Sequence, residues 1–406
     1  MIARSTAEAR TSPALIASAR TARRVAQAGI VMGVVAAWIA YPPVEARNLV
    51  WPILVGLAAV MCGAYAIVRG QTRVGWGAVA AGVIGAGLGY LATLSGTTHL
   101  ESVFVWSTLL ATTLRFATPL TFAAIGGLFS ERSGVVNIAL EGMMLAGAFF
   151  GILAADKLGS WVLGLLVALL AGGAFAAVHA VFAIHLRADQ IVGGTAINFL
   201  ALGLTGYLFI DIYGDQGTPA NISQIPDVHL PGLENVYFIG PAIGQLNLMI
   251  WLSFLVIVLA YVVVFRTPLG LRIRSVGEHP RAADTVGISV YKVRYGAVIL
   301  SGMLAALGGA YLSIGNVHSF NQNMTAGRGF IALAALIFGR WMPFGAFGAA
   351  MLFGFSSALA QRLQDYSQSA GVLFNALPYV LTLIAVAGII GRAVPPAAVG
   401  RPYKKQ

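Results

Sequence analysis

Residues 266–294 read RTPLGLRIRSVGEHPRAADTVGISVYKVR, a polar stretch in an otherwise strongly apolar chain. The stretch carries six Lys and Arg residues and lies between apolar runs of membrane-spanning length at residues 246–265 and 294–314. Long continuous apolar runs joined by short basic links are typical of transmembrane helices. The stretch therefore predicts an all-α, polytopic transmembrane helical bundle.

Composition supports the same fold class. The chain has 406 residues, of which 58% are hydrophobic and 10% are charged, whereas soluble domains carry about 25% charged residues. This excludes a soluble globule, and the continuous apolar runs exclude a β-barrel, whose strands alternate. We expect roughly 10–12 apolar segments, including broken or re-entrant helices, because the run at residues 329–340 is too short to span a membrane alone.

The distribution of charge predicts the orientation. The formal net charge of +11 is explained by the positive-inside rule rather than by a nucleic-acid partner. With the N-terminus inside, 20 Lys and Arg residues fall on inner links and 4 on outer links. This split predicts that both termini are cytoplasmic and that residues 211–246 lie outside. Those residues contain no Lys or Arg, and they form either a vestibule or a plain connector.

Two domains are predicted from the change in character along the chain. Residues 1–98 hold about three apolar segments with few polar interruptions and form an N-terminal extension. The Arg-rich start favours an uncleaved first span over a signal peptide. Residues 99–400 form the core, where polar residues, Gly and Pro enter the spans. Cys62 has no partner, and the six histidines show no metal-ligand spacing, so we expect no disulfide, metal or cofactor.

The first polar constellation is SGVVNIALEGMMLAGAFFG at residues 133–151. Asn137 and Glu141 are four residues apart, so a helix would place them on one face. An ionisable group within an apolar run faces a bundle interior or an aqueous path. Glu141 therefore belongs either to a pathway or gating element, or to a structural clamp with Arg115 as its partner. Arg115 lies inside a span, so it is itself a functional candidate unless it snorkels to an interface.

The second constellation is RADQIVGGTAINFLALG at residues 187–203. The pair Gly193–Gly194 predicts a helix break, and broken helices place backbone dipoles at binding sites in transporters. Hydrogen bonding between helices is the alternative role for the polar residues of this stretch. The candidates for the substrate pathway from both constellations are Arg115, Asn137, Glu141, Thr195 and Asn198.

Several catalytic motifs are absent from the sequence. It contains no GxxxxGK[ST], HExxH, GxSxG or CxxC pattern. Without the first of these the chain does not hydrolyse ATP through a P-loop. We therefore expect a protein that is not an enzyme.

The basic link has a pattern of its own. A polar link is expected at residues 269–272, and Pro280 favours the start of a short helix. Glu278 suits the positive dipole end of that helix, whose Ala face would fit a groove on a soluble partner. A simple positive-inside anchor would explain the arginines, but not this pattern. The residues of the pattern are Gly277, Glu278, His279, Pro280, Arg281, Ala282, Ala283 and Asp284.

Three motifs carry a family resemblance: GLRIRSVGEHPRAADTVGI, SGVVNIALEGMMLAGAF and LRADQIVGGTAINFLALGLTGYL. Over residues 102–395 the chain resembles the inner-membrane permeases of bacterial ATP-binding-cassette (ABC) importers. The most similar group is the nucleoside-type branch of the branched-chain amino acid and simple-sugar permease superfamily. The three apolar segments before residue 98 depart from the family's shorter members.

The resemblance implies a function and partners. The Gly-Glu-x-Pro-x-Ala-Ala pattern of the family matches at residues 277–283, so residues 277–284 would form the loop that couples to the ATPase. The implied partners are a cytoplasmic ABC ATPase, a second and different permease subunit, an extracytoplasmic substrate-binding protein and membrane lipid. The implied location is the bacterial inner membrane, with several passes through it.

The substrates implied by the resemblance are nucleosides or related small polar solutes. A permease for simple sugars or branched-chain amino acids is the alternative. An ion-coupled secondary transporter would need acidic residues in paired inverted repeats, and Glu141 alone lies well within a predicted span. The polar residues within the spans disfavour a scaffold without a pore.

Overall fold

A computed structural model describes residues 13–39, 48, 50–94, 105–232, 236, 240–366 and 394–405. The chain divides into two compact units, Met1–Val105 with Ala360–Arg392, and Trp106–Leu359 with Ala393–Gln406. The apolar run predicted at residues 373–391 lies outside the described residues. The predicted boundary between residues 98 and 99 stays a prediction.

Three helices are described in the first unit: α1 (Pro13–Trp38), α2 (Val50–Val68) and α3 (Thr72–Leu94). Glycines line the contacts between them. A Cβ atom at Gly56 would meet the Ala86 Cβ atom at 2.5 Å, and one at Gly63 would meet the Gly75 carbonyl oxygen at 2.6 Å. Lipid supplies no hydrophobic force between helices, so membrane helices depend on such small residues for close backbone packing.

The second unit contains a longer series of helices and one small antiparallel sheet, in which Asp227 pairs with Asn247. The strands lie in the stretch predicted as an outer connector. The elements in chain order are α4 (Trp106–Arg132), α5 (Leu140–Leu158), α6 (Trp161–Ala180), α7 (Gln190–Tyr213), β1 (Asp227–His229), β2 (Gln245–Asn247), α8 (Leu248–Arg266), α9 (Pro268–Glu278), α10 (Pro280–Thr285), α11 (Val290–Ala310) and α12 (Arg328–Phe338), followed by α13 (Pro343–Tyr366), which continues past the unit boundary.

Helices α4 and α11 lie in the interior of this unit, and α11 packs against α4, α5 and α6. Their close contacts again depend on glycines. A Cβ atom at Gly126 would lie 2.5 Å from the Ser301 carbonyl oxygen, and one at Gly308 would lie 2.7 Å from that of Pro119. Two aromatic side chains, Phe122 and Phe149, fill the remaining interior space and are fully buried.

Seven helices in the described part of the chain are long and apolar enough to cross a membrane. The helices α1, α3 and α5, of 26, 23 and 19 residues, lie outside that set. The short apolar run predicted from residue 329 forms the 11-residue helix α12. The prediction of a polytopic helical bundle is confirmed. The seven helices are α2, α4, α6 with its extension to His185, α7 with its extension to Gln216, α8, α11 with its extension to Val317, and α13 as far as Arg362.

The helix interruption lies elsewhere than predicted. Helix α7 continues through Gly193–Gly194, so the prediction of a break there is wrong. Instead the chain leaves helical geometry between α4 and α5, at residues 133–139. As a result Asn137 precedes α5 and does not share a helix face with Glu141, as the spacing of four had predicted. The cause is local hydrogen bonding around a left-handed glycine, Gly134.

Candidate functional site

Residues 133–139, here called the helix break, connect α4 to α5. Gly134 has φ of +93°, a conformation that glycine adopts without steric cost. The Ser133 hydroxyl donates to the Ser130 carbonyl at 2.7 Å, and the Ser130 hydroxyl donates to the Val135 carbonyl at 2.7 Å. These bonds, together with those from the Ser133 and Val135 amides to the Ser130 carbonyl, close the end of α4.

Side chains from two other helices bind the backbone of the helix break. His179 of α6 contacts the Val136 carbonyl through Nε2 at 3.0 Å, and Gln190 Oε1 accepts from the Val136 amide at 2.8 Å. Asn198 of α7 donates from Nδ2 to the Ile138 carbonyl at 3.0 Å. A backbone group buried in the bundle without a partner costs free energy. The three side chains therefore make the interruption tolerable.

Asn198 also links the helix break to α5, because its Oδ1 accepts from the Gly142 amide at 2.7 Å. Glycines allow α7 to come this close. A Cβ atom at Gly142 would lie 2.9 Å from Asn198 Cα, and one at Gly194 would lie 3.1 Å from the Ala139 nitrogen. Gly194 thus allows α7 to pack against the break, and Gly142 allows α5 to pack against α7.

Asn137 lies within the helix break and is fully buried. Its Nδ2 donates to Ser301 Oγ of α11 at 2.9 Å, whereas its Oδ1 has no hydrogen-bond partner among the described residues. Nδ1 of His179 and Nε2 of Gln190 are also buried without such a partner. The polar side chains around the break therefore have more hydrogen-bonding capacity than this conformation uses.

Glu141, in the first turn of α5, is 8% exposed. Its Oε1 accepts from the Gly327 amide at 2.8 Å and its Oε2 from the Gly329 amide at 2.6 Å. Both amides belong to the start of α12, where backbone donors and the helix dipole favour a negative charge. These two bonds form a clamp between α5 and α12, whereas Arg115 lies at a separate cavity.

Arg115 lines a cavity of about 270 Å³, a volume close to the lower end of ligand pockets, about 300 Å³. The side chain is exposed, and the described residues place no carboxylate within ion-pair distance of it. Tyr311 and Asp227 line the same cavity. The other polar residues of the wall are Gln224, Asn247, Asn316 and His318.

Residues 268–285 of the basic link fold into two helices, α9 and α10, here called the coupling pair after the role that the resemblance implies. Pro268 occupies the first turn of α9, and the Thr267 hydroxyl accepts from the Gly270 amide at 3.3 Å. Residues 269–272, expected as a polar link, are therefore helical. The predicted short helix is present as α10, which begins at Pro280. Glu278 is the last residue of α9, two positions before α10 begins.

The coupling pair contacts the start of the helix break directly. A Cβ atom at Gly277 would clash with the Arg132 carbonyl and would lie 3.4 Å from the Gly134 nitrogen. Only a glycine allows the end of α9 this close to the end of α4. The end of α9 therefore lies against the backbone at which α4 leaves helical geometry.

Residues 394–405, here called the C-terminal segment, lie against the coupling pair. The Tyr403 hydroxyl donates to Asp284 Oδ2 at 2.9 Å. Burial of the phenol, together with this carboxylate, raises the pKa of Tyr403 above its ordinary value. The phenol therefore stays protonated and remains a hydrogen-bond donor to α10.

The structure brings only some of the five predicted pathway residues together. Asn137 lies in the helix break, Asn198 binds its backbone and Glu141 lies in the first turn of α5 just after it, whereas Arg115 lines the separate cavity. The Thr195 hydroxyl donates to the Ile191 carbonyl of its own helix at 2.8 Å. Among the described residues no cluster of three His, Cys, Asp or Glu side chains could hold a metal ion.

Two residues of the break's surroundings were missed by sequence reasoning. His179 is an isolated ionisable residue within the apolar run of α6, and this position was a usable signal. Arg294 was counted as a charge of the basic link, but it is 1% exposed and donates from Nε to the Ser133 carbonyl at 3.2 Å. Nothing in the local sequence distinguishes it from an ordinary inner-side arginine.

Residues 109–386 match the family described as the permease component of branched-chain amino acid transport systems. The guanosine ABC transporter permease protein NupQ of Bacillus subtilis (strain 168) is 44% identical over 321 residues, which cover 75% of this chain and 99% of NupQ. The nucleoside ABC transporter permease protein NupC of Lactococcus lactis subsp. cremoris (strain MG1363) is 41% identical, over 73% of this chain and 96% of NupC. The putative glucose ABC transporter permease protein TsgC13 of Haloferax volcanii is 37% identical, over 64% of this chain and 78% of TsgC13. No solved structure matches the chain.

Proposed function

The chain belongs to the family of permease components of branched-chain amino acid transport systems, and we propose that within it the chain forms the pore of an ATP-driven nucleoside importer. As a family member it is a multi-pass membrane protein and a transport subunit of an ABC system rather than an enzyme. Hydrolysis of ATP belongs to a separate chain. The proposal adds the solute, the partners and the path by which movement reaches the pore.

The observation that carries the proposal is the contact of Gly277 with Arg132, at the end of α4, and with Gly134, at the start of the helix break. The coupling pair lies at the surface and carries an exposed basic residue, Arg281, which suits docking to a soluble protein. When the ATPase moves the coupling pair, the force reaches Arg132 and Gly134 through backbone contact. The break then exchanges hydrogen-bond partners, for which Asn137, His179 and Gln190 have unused capacity.

Nucleosides are proposed as the solute because two relatives are named for guanosine and for nucleosides. Their similarity to this chain extends over 99% and 96% of their lengths. The family's sugar and amino-acid members keep those solutes as the alternative. The cavity at Arg115 is proposed as the entry site, since its guanidinium and amide groups can hydrogen bond to a base or a ribose. The proposed orientation places both termini and the coupling pair in the cytoplasm.

The proposed partners are an ABC ATPase, a second permease of different sequence and an extracytoplasmic substrate-binding protein. The test is uptake of radiolabelled guanosine into proteoliposomes that contain the complete complex. We expect uptake that requires ATP, persists when ion gradients are collapsed and is competed by other nucleosides. Competition by glucose or leucine, but not by nucleosides, would contradict the substrate. Uptake that needs an ion gradient and no ATP would contradict the mechanism.

The entry site is tested in the same proteoliposomes. Arg115→Gln is expected to raise the KM for guanosine, because it removes the cation of the cavity but keeps a polar side chain. Thr205→Ala is the control, since its hydroxyl bonds only within α7. If the KM of Arg115→Gln equals that of the wild type, the solute does not contact this cavity.

A further inference from the structure

The C-terminal segment completes the end of α9. The Ala398 amide donates to the Gly277 carbonyl at 2.9 Å, and the Ala397 amide donates to Glu278 Oε2 at 3.1 Å. The last carbonyls of a helix have no partner within that helix. The segment supplies one of these partners from a region more than 100 positions away, and it holds the Glu278 side chain as well.

The same segment reaches the helix break. The Gly400 amide donates to the Gly134 carbonyl at 3.2 Å. Arg294 joins the two elements, because Nε donates to the Ser133 carbonyl at 3.2 Å and Nη1 donates to the Arg401 carbonyl at 3.1 Å. A buried cation at the carboxyl end of α4 also complements the helix dipole there. The segment is thus bonded to both sides of the contact between the coupling pair and the break.

A third attachment holds α10. The Tyr403 side chain is 6% exposed and is buried with Val276, Ala283 and Val290. Its ring also packs edge-on against Tyr291, with ring centroids 5.7 Å apart, and its hydroxyl bonds to Asp284. Helix α10 has six residues, too few for a helix to be stable by itself. Its position therefore depends on the surfaces it packs against, and Tyr403 is one of them.

We propose that the C-terminal segment is a brace that fixes the coupling pair against the helix break, so that movement of the ATPase is passed to the pore rather than absorbed by α10. The inference rests on the proposed function, because it assigns the coupling pair to the ATPase. The residues that act in it are positioning residues. Tyr403 orients α10, while Ala398 and Gly400 join α9 to the break through their backbone amides.

The first experiment measures hydrogen exchange of the isolated chain in nanodiscs. Tyr403→Ala removes the ring from α10, and a chain ending at Ala393 removes the whole segment. Both are expected to exchange faster at residues 280–285, whereas Lys404→Ala, which changes an exposed neighbour, should exchange like the wild type. If exchange at residues 280–285 is the same in all four proteins, the segment does not hold α10, whatever the chain transports.

The second experiment measures nucleoside imported per ATP hydrolysed by the assembled complex. Tyr403→Ala is expected to lower this ratio about tenfold, while the ATPase still copurifies with the permease. Tyr403→Phe keeps the ring and should lose less. An unchanged ratio in Tyr403→Ala, together with faster exchange, would show that the segment only stabilises α10 and would overturn its role in coupling. Absence of uptake by the wild type would count against the proposed function alone, and the exchange result would still decide whether the segment holds α10.

Discussion

The helix break at residues 133–139 and the pair Gly193–Gly194 of α7 lie side by side, with Gly194 against the break, but helical geometry is lost only at the first. At the break, Gly134 adopts a left-handed conformation, and side chains of α6 and α7 bind the freed backbone groups. At the pair in α7, helical hydrogen bonding continues, and Gly194 allows the break to approach. The difference shows that the glycine pair alone does not interrupt α7, whereas the loss of helical geometry at Gly134 coincides with polar side chains that bind the freed backbone groups.

Among the variants near the helix break, the largest expected loss of stability comes from removing the clamp at Glu141. Glu141→Ala leaves the amides of Gly327 and Gly329 without their carboxylate partner, and we expect a loss of about 3 kcal/mol in the free energy of unfolding. Glu141→Gln keeps one acceptor oxygen and should lose less. The measurement is unfolding in nanodiscs. Equal stability of Glu141→Ala and the wild type would mean that α12 is held without this residue.

A pair of variants in α7 compares a residue bound to the break with one that is not. Asn198→Ala removes the bonds to Ile138 and Gly142 and is expected to cost about 2 kcal/mol. Thr195→Ala removes a bond within α7 and is expected to change the stability by less than about 0.5 kcal/mol. The same unfolding experiment measures both. Similar losses of stability in the two variants would show that the hydrogen bonds from α7 to the helix break contribute no more than a bond within α7.

The adjacent glycines Gly193 and Gly194 of α7 give the smallest effect and the sharpest contrast. A Cβ atom at Gly193 meets only Phe182 Cβ, at 3.9 Å, so Gly193→Ala should stabilise the helix by about 0.5–1 kcal/mol. A Cβ atom at Gly194 lies 3.1 Å from the Ala139 nitrogen and 3.2 Å from Ile138 Cβ. In Gly194→Ala this crowding should cancel the gain or reverse it. A Gly194→Ala variant as stable as Gly193→Ala would show that α7 does not press on the break.

The sequence predicted the fold class, the short helix α12 and the helix after Pro280, because each depends on local patterns of hydropathy or on proline. It also pointed to Asn137, Glu141 and Asn198 as polar residues within the bundle, and their place in a substrate pathway stays a prediction. It placed the helix interruption in α7, because a glycine pair and a left-handed glycine look alike without their neighbours. The sequence did not predict the hydrogen bonds of Glu141, Arg294 and Tyr403. Each of these bonds joins residues more than 100 positions apart, so no local pattern indicates it.

The most direct test of the account is hydrogen exchange of the Val136 amide, which donates a hydrogen bond to Gln190 Oε1 at 2.8 Å. We predict that in the wild type this amide exchanges as slowly as the amides of α7, although residue 136 is not helical. Gln190→Leu, which is similar in size and has no acceptor, should accelerate its exchange, whereas Thr195→Val should not. Exchange at the rate of an open loop in the wild type, or no response to Gln190→Leu, would contradict a break held by the side chains around it.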